Sequence, residues 1–330
     1  MYKFFVTCFA LLFSTQLNAQ VDGDLSARRT TDRADQKAPL AYAIYDSNGR
    51  SVRYNQLLSA CEQADVVFFG EQHNNPISHW LTYELFQALL PEADQDRPLT
   101  LAMEMLEVHQ QQLVDAYVAQ ELEYDSLANA TDLWPNFKTD YRPVLDLARN
   151  HDYRTLALAS NVTRRYASRV FKEGIESFRE NLPENWDTAA YPPLEFDIPY
   201  DSRSYQEMVE MMSGHGGHGH GGHGHGESGE MAKRFVQAQA IKDATMAWRI
   251  LQVLREEMRV FHVNGAFHTQ YHEGIVWYIK YFAEQNKRET VPGMVTISQE
   301  NVDNPGVFNE ELKDKADFII QVPNAMTKTY

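Results

Sequence analysis

Two short apolar runs, each stopped by a glycine that stands three residues ahead of a histidine, constrain this chain more than any other feature. The first is Val66-Val67-Phe68-Phe69, closed by Gly70-Glu71-Gln72-His73. The second is Val260-Phe261-His262-Val263-Asn264, closed by Gly265-Ala266-Phe267-His268. A continuous apolar run bounded by a breaker reads as a strand buried on both faces, as in a parallel sheet. Beyond the first run, Asn74 or Asn75 is suited to cap a helix and Pro76 fits its first turn. Ile77, Leu81, Leu85 and Leu89 then recur at helical spacing. Glu71 and His73 therefore stand where a strand hands over to a helix, the edge at which open α/β sheets bind ligands. With both strands parallel in one sheet, His73 and His268 reach the same crevice.

The remaining pattern supports that sheet. Asn48-Gly49 centres an early hairpin. Residues 99–103 form an apolar strand with Glu104 at its end, and residues 155–159 form another, ended by Ser160 and Asn161. A carboxylate that ends a buried strand is costly unless it is paired or binds a cation. Glu71 and Glu104 at one sheet edge would raise each other's pKa or attract a metal, unless each simply caps the next helix. Thr163, Arg164 and Arg165 open a helix whose free N–H groups and guanidinium groups suit an anion, or form a solvated arginine pair. Trp134 and Tyr141 lie in a loop before a helix over 144–150. A long amphipathic helix spans 231–258, with Lys242 and Asp243 read as solvated or structurally paired. Strands over 291–297 and 318–322 follow. The fold expected is α/β, a mostly parallel sheet flanked by helices, with a helical insertion at about 165–257.

Residues 1–19 read as a signal peptide: Lys3, an apolar core over 4–13, and a small residue at Ala19. Residues 20–38 form a polar, flexible start, and 39–330 the α/β domain. Export is expected, to the periplasm or the cell surface. Cys8 sits in a poor lipobox, which disfavours a lipid anchor. Cys61 is left without an internal disulfide partner and reads as a small buried residue. The net charge of −16 argues against nucleic acid and against an anionic membrane surface.

Residues 214–226 alternate Gly with His215, His218, His220, His223 and His225. Glycine at this density cannot fold alone, so the tract reads as a disordered loop. Its imidazoles suit Zn, Ni, Cu or haem iron. Two roles remain open for it, a mobile metal or haem collector and a tolerated insertion.

Several pieces together resemble the ChaN-like haem-binding proteins of the wider TIKI/TraB/erythromycin-esterase-like superfamily. They are residues 70–76, Ala102-Met103-Glu104-Met105, Trp134 with Tyr141 and Pro143, Asn161 with Arg164 and Arg165, residues 239–247 and Gly265-Ala266-Phe267-His268. The resemblance implies a haem-binding protein that contributes to haem or iron acquisition. Haem contacts would come from His73, His79, Tyr141, Asn161, Arg164, Arg165, His268 and His272, and a phenolate or an imidazole would hold iron. Tyr141, His79, His268 and His272 stay open as the iron ligand. A homodimer and outer-membrane haem uptake machinery are the expected partners. The wider superfamily implies an alternative, a metal-dependent peptidase or esterase in which Glu71, His73, Glu104 and His268 hold a divalent ion. A metal buffer acting only through the His tract is a third reading.

Overall fold

A computed structural model describes residues 39–91, 97–150, 155–215, 225–254, 258–287 and 290–329, without the side chains of 212–228. The chain divides into two units, Met1–Pro39 and Leu40–Tyr330. The expected signal peptide and polar start, and the tract residues His218, His220 and His223, lie outside the described residues. His215 and His225 are described only as backbone, at the ends of two helices.

The strands are β1 (Ala43–Asp46), β2 (Ser51–Val52), β3 (Val66–Glu71), β4 (Leu99–Glu107), β5 (Leu156–Asn161), β6 (Arg259–Gly265), β7 (Met294–Val302) and β8 (Phe318–Pro323). They form one sheet in the order β2-β1-β8-β7-β3-β6-β4-β5. From β8 to β5 all neighbours are parallel, and β1 and β2 add an antiparallel edge. Gly49 makes the β1–β2 turn at φ +81°, with the Phe308 ring so close that a Cβ would meet it at 2.4 Å.

Every residue of β3 is buried, which explains its unbroken apolar run. Phe68 and Phe69 are adjacent and enter different cores, because successive strand side chains face opposite ways. One core lies under helices Tyr54–Gln63, Pro76–Leu89 and Arg142–Asn150, with Leu85, Phe86 and Leu145. The other lies under helices His225–Leu254 and Ile275–Gln285, with Ile241, Ala244 and Ile279. Between β5 and β6 the regular structure of the described residues is helical, through Arg164–Glu173, Ile175–Glu180, Arg203–His215 and His225–Leu254.

Several boundaries differ from expectation, the long helix running over His225–Leu254 and Tyr141 ending a helical turn, Phe137–Tyr141, rather than lying in a loop. β4 does not end at Met103 but runs to Glu107, because its pairing with β5 shifts register between those two residues. Glu104 therefore sits in an irregular stretch, where a strand re-aims a side chain. β7 starts at Met294 and extends to Val302. Asn75 caps helix Pro76–Leu89, its side chain accepting from the N–H of Ile77 at 2.9 Å, and Pro76 opens the first turn. That cap fixes the path of the chain just after Glu71 and His73. Among the described residues no helix is long and apolar enough to cross a membrane.

Candidate functional site

Glu71, the last residue of β3, is 2% exposed. One carboxylate oxygen accepts from His73 Nδ1 at 3.0 Å and from the Tyr141 hydroxyl at 2.6 Å. His79 Nδ1 lies 3.4 Å from the other oxygen, and His79 Nε2 lies 3.3 Å from Asp140. Asp140 in turn accepts from Asn136 at 2.8 Å and from the Thr329 hydroxyl at 2.7 Å. Burial alone would raise the pKa of Glu71, but the hydrogen bonds of His73 and His79 outweigh it and hold the carboxyl below its usual range. Burial, and then the charge of Glu71, push the Tyr141 phenol far up, so it stays protonated and donates.

A second buried group forms across β4 and β6. Glu104 accepts from the Gly265 N–H at 2.7 Å and faces His268 Nε2 at 3.3 Å. The other ring nitrogen of His268 pairs with Asp243, which also accepts from the Tyr205 hydroxyl at 2.7 Å. Burial would lower the pKa of His268, yet the charges of Glu104 and Asp243 prevail and raise it to about 10. His268 is thus an imidazolium between two carboxylates. Glu104 is held well below its usual range, with the His268 charge outweighing burial, while deeper burial raises Asp243.

His73 lies between the two groups, its side chain 41% exposed. Its Nε2 sits over Gly265, where a Cβ would come within 2.7 Å. Burial pulls its pKa down, but the Glu71 hydrogen bond and the Glu104 charge raise it overall. The Trp134 ring meets the His73 ring edge-on at 4.9 Å. On either side of that tryptophan, Leu133 and Pro135 line an open cleft of about 900 Å³. Helix Arg164–Glu173 also lines it, with Arg164, Arg165, Arg169, Lys172 and Glu173, as do Asp132 and, after β4, Glu107 and His109.

The structure brings Glu71, His73 and His79 together, and Glu104 with His268. Within the expected quartet Glu71 pairs with His73 and Glu104 faces His268, and His73 Nε2 and Glu104 both approach the Gly265 backbone. Among the described residues no cluster of three or more His, Cys, Asp or Glu is disposed to hold a metal ion. All four expected iron-ligand candidates have polar partners within the chain. Tyr141 is 1% exposed and spends its hydroxyl on Glu71. The His79 side chain is 9% exposed, with each nitrogen facing a carboxylate. His272 turns away, to Asp317 at 3.1 Å and Thr296 at 3.3 Å. His268 has both nitrogens engaged. Asn161 donates to the Glu104 carbonyl at 3.0 Å, leaving its own buried carbonyl without a partner among the described residues. Arg164 is anchored to Glu107, its backbone N–H donating at 3.0 Å. Arg165 donates to the Tyr166 hydroxyl at 3.2 Å and lies over that ring, 5.0 Å from its centroid.

Sequence reasoning did not pick out His109, nor Asp243 as a partner of His268. A signal for His109 was present: β3 and β4 both end in Glu-x-His, as Glu71-Gln72-His73 and Glu107-Val108-His109. In both, the histidine Nδ1 turns back to the carboxylate, at 3.0 Å from Glu71 and 3.4 Å from Glu107.

No curated protein matches the chain. Its fold is similar to a solved structure of cofacial haem binding to ChaN of Campylobacter jejuni, at 18% identity over 84% of this chain and 96% of that one, with a TM-score of 0.62. A weaker likeness is to an erythromycin esterase variant, EreC, in its open conformation, at 11% identity over 86% of this chain and 98% of that one, with a TM-score of 0.43. The family described as haem-binding uptake, Tiki superfamily, ChaN, matches residues 57–279, more than half of the sequence, and the chain belongs to that family.

Proposed function

We propose that this chain binds haem at the carboxyl edge of its sheet and contributes to haem or iron acquisition outside the cytoplasm. The observation that carries this is the cleft beside Trp134 in a chain of a haem-binding family. The residues present suit the group. A volume of about 900 Å³ falls at the upper end of small-molecule sites, roughly 300–1,000 Å³. Leu133 and Pro135 offer an apolar wall to a macrocycle. In a chain of net charge −16, the cleft gathers Arg164, Arg165, Arg169 and Lys172 beside Glu107, Asp132 and Glu173. Among the described residues Arg165 and Lys172 have no carboxylate partner, which leaves both free for propionates. The bound group would supply iron, and the chain would supply apolar cover, charge and an imidazole. Export, a homodimer that covers the open side of the cleft, and delivery from outer-membrane uptake machinery belong to the same proposal.

The test is a haemin titration of the chain lacking residues 214–226, so that the His tract contributes nothing. A saturable Soret shift with fixed stoichiometry is expected. Absence of saturation in this variant, with haemin taken up only when the tract is present, would overturn the proposal.

A further inference from the structure

We propose that Gln111 and Arg249 close the open edge of the sheet at β5 against strand pairing with a second copy of this chain. The inference is independent of the haem-binding proposal.

The sheet ends in β2 on one side and in β5 on the other. β2 is two residues long, a short template for another strand, whereas β5 runs for six. β4 pairs with one side of β5, so the other side turns a row of N–H and C=O groups outward. Ala157 and Ala159 stand two residues apart and aim their backbone groups at that same side. The Gln111 carboxamide meets both. Its Nε2 donates to the Ala157 carbonyl at 2.9 Å, and its Oε1 accepts from the Ala159 N–H at 2.8 Å. In a parallel ladder a residue of the neighbouring strand makes this same pair of bonds, to a carbonyl and to the N–H two residues on. One side chain thus stands where a further strand would lie.

The carboxamide is itself held. Gln111 Nε2 also donates to Asp115 at 2.7 Å, and Oε1 also accepts from Arg249 Nη2 at 2.9 Å. Two acceptors at one end and two donors at the other settle which end is the nitrogen. Arg249 Nε approaches the next outward carbonyl, that of Ala159, at 3.4 Å. Gln111 opens helix Gln111–Val118, whose Val114 belongs to one core, and Arg249 belongs to helix His225–Leu254, which packs into the other. Helices from the two faces of the sheet therefore meet across its edge. The partner they exclude is a second copy, because its β5 would present the same groups and two bare edges could pair about a two-fold axis. Leu156, 46% exposed at the start of β5, would add apolar contact to that pairing.

The experiment is sedimentation velocity of the haem-free full chain over a wide concentration range, in EDTA so that metal cannot bridge the His tract. Gln111→Met keeps the length of the side chain and removes its bonds to β5. That variant should associate beyond the wild-type chain's own state, and adding Leu156→Lys, a charge on the edge, should reverse the association. In hydrogen exchange the Ala159 amide should be slow in the wild-type chain and about tenfold faster in the double variant, the loss of one hydrogen bond of about 1.4 kcal/mol. A folded Gln111→Met chain that sediments like the wild-type chain at every concentration would overturn the proposal. Association that Leu156→Lys leaves unchanged would place the contact elsewhere and overturn it too. Rapid exchange of the Ala159 amide in the wild-type chain would do so even where the variants fail to fold.

Discussion

Asp243 and His268 meet in full burial, and the carboxylate of Asp243 faces the Nδ1 of His268 from the middle of helix His225–Leu254. Gly274 makes the contact possible. It turns at φ 53°, ψ −119°, and a Cβ there would lie 2.3 Å from the His268 carbonyl and 3.1 Å from Asp243. Removing one member of a buried ion pair leaves the other charge uncompensated, at a cost of about 3–5 kcal/mol. Asp243→Asn should therefore lower stability by an amount of that order in urea unfolding. In an NMR titration, the pKa of His268 should fall from about 10.

Stability should peak near neutral pH, with two histidines setting the flanks. His268 has a folded pKa of about 10, above its ordinary value of 6.5. Its contribution is complete below 6.5 and is lost as pH rises through about 10. His262 is the reverse: burial lowers it to about 4, and its nitrogens bond Ser160 and Asn264. The unfolded chain takes up that proton first, so stability falls as pH drops from 6.5 towards 4. Urea midpoints across this range check the shape. His262→Gln should flatten the acid limb, and Asp243→Asn the alkaline one.

The two glycines beside the site should respond differently to alanine. At Gly274 the backbone lies where side-chain-bearing residues are strained and the neighbour is a carbonyl, so Gly274→Ala should cost about 2 kcal/mol or more. At Gly265 the obstructing atom is the end of a half-exposed ring, His73 Nε2. Gly265→Ala should change stability by less than about 1 kcal/mol yet displace His73 from Glu71. Thermal unfolding and the histidine NMR signals separate the two outcomes.

β3 and β6 were legible because strands buried on both faces cannot hide their composition, and Asn75-Pro76 announces the helix after β3 in local chemistry alone. The end of β4 was not legible, because its irregularity is a property of the pairing with β5. Glu107-Val108-His109 lacks the glycine that marks the other two strand ends, so the sequence repeat does not extend to it. Asp243 sits between Lys242 and Ala244, and nothing local distinguishes a buried aspartate from a solvated one there. The partner, His268, arrives only through the tertiary fold. The contact of His272 with Asp317 was not legible either, because it follows from a left-handed turn in which Tyr271 and His272 adopt φ 57° and φ 58°.

Tyr141→Phe discriminates between a phenolate ligand and a buried donor. The hydroxyl donates to Glu71 at 2.6 Å, and the His73 carbonyl lies 3.2 Å away. Loss of a hydrogen bond to a charged group costs about 1.5–3 kcal/mol. The variant should therefore be less stable in urea by that order. Its haemin affinity and spectrum should nevertheless match those of the wild-type chain. Loss of the ferric spectrum with unchanged stability would make the phenol an iron ligand.

The cationic wall gives the last prediction. Arg165 and Lys172 lie on one face of helix Arg164–Glu173, and both line the cleft. Arg164 and Arg169 already face Glu107 and Glu173, at 3.8 Å and 2.8 Å. Charge available to a ligand therefore resides chiefly in Arg165 and Lys172. Haemin carries two propionates, whereas its dimethyl ester has the same macrocycle and iron without those charges. The wild-type chain should prefer haemin over the ester, and Arg165→Gln with Lys172→Gln should narrow that preference about tenfold, roughly 1.4 kcal/mol, by weakening haemin and leaving the ester almost unchanged. Raising the salt concentration should narrow it in the wild-type chain alone, because screening acts only where the charges remain. Equal weakening of both porphyrins would mean that the two side chains shape the cleft rather than read its ligand's charge.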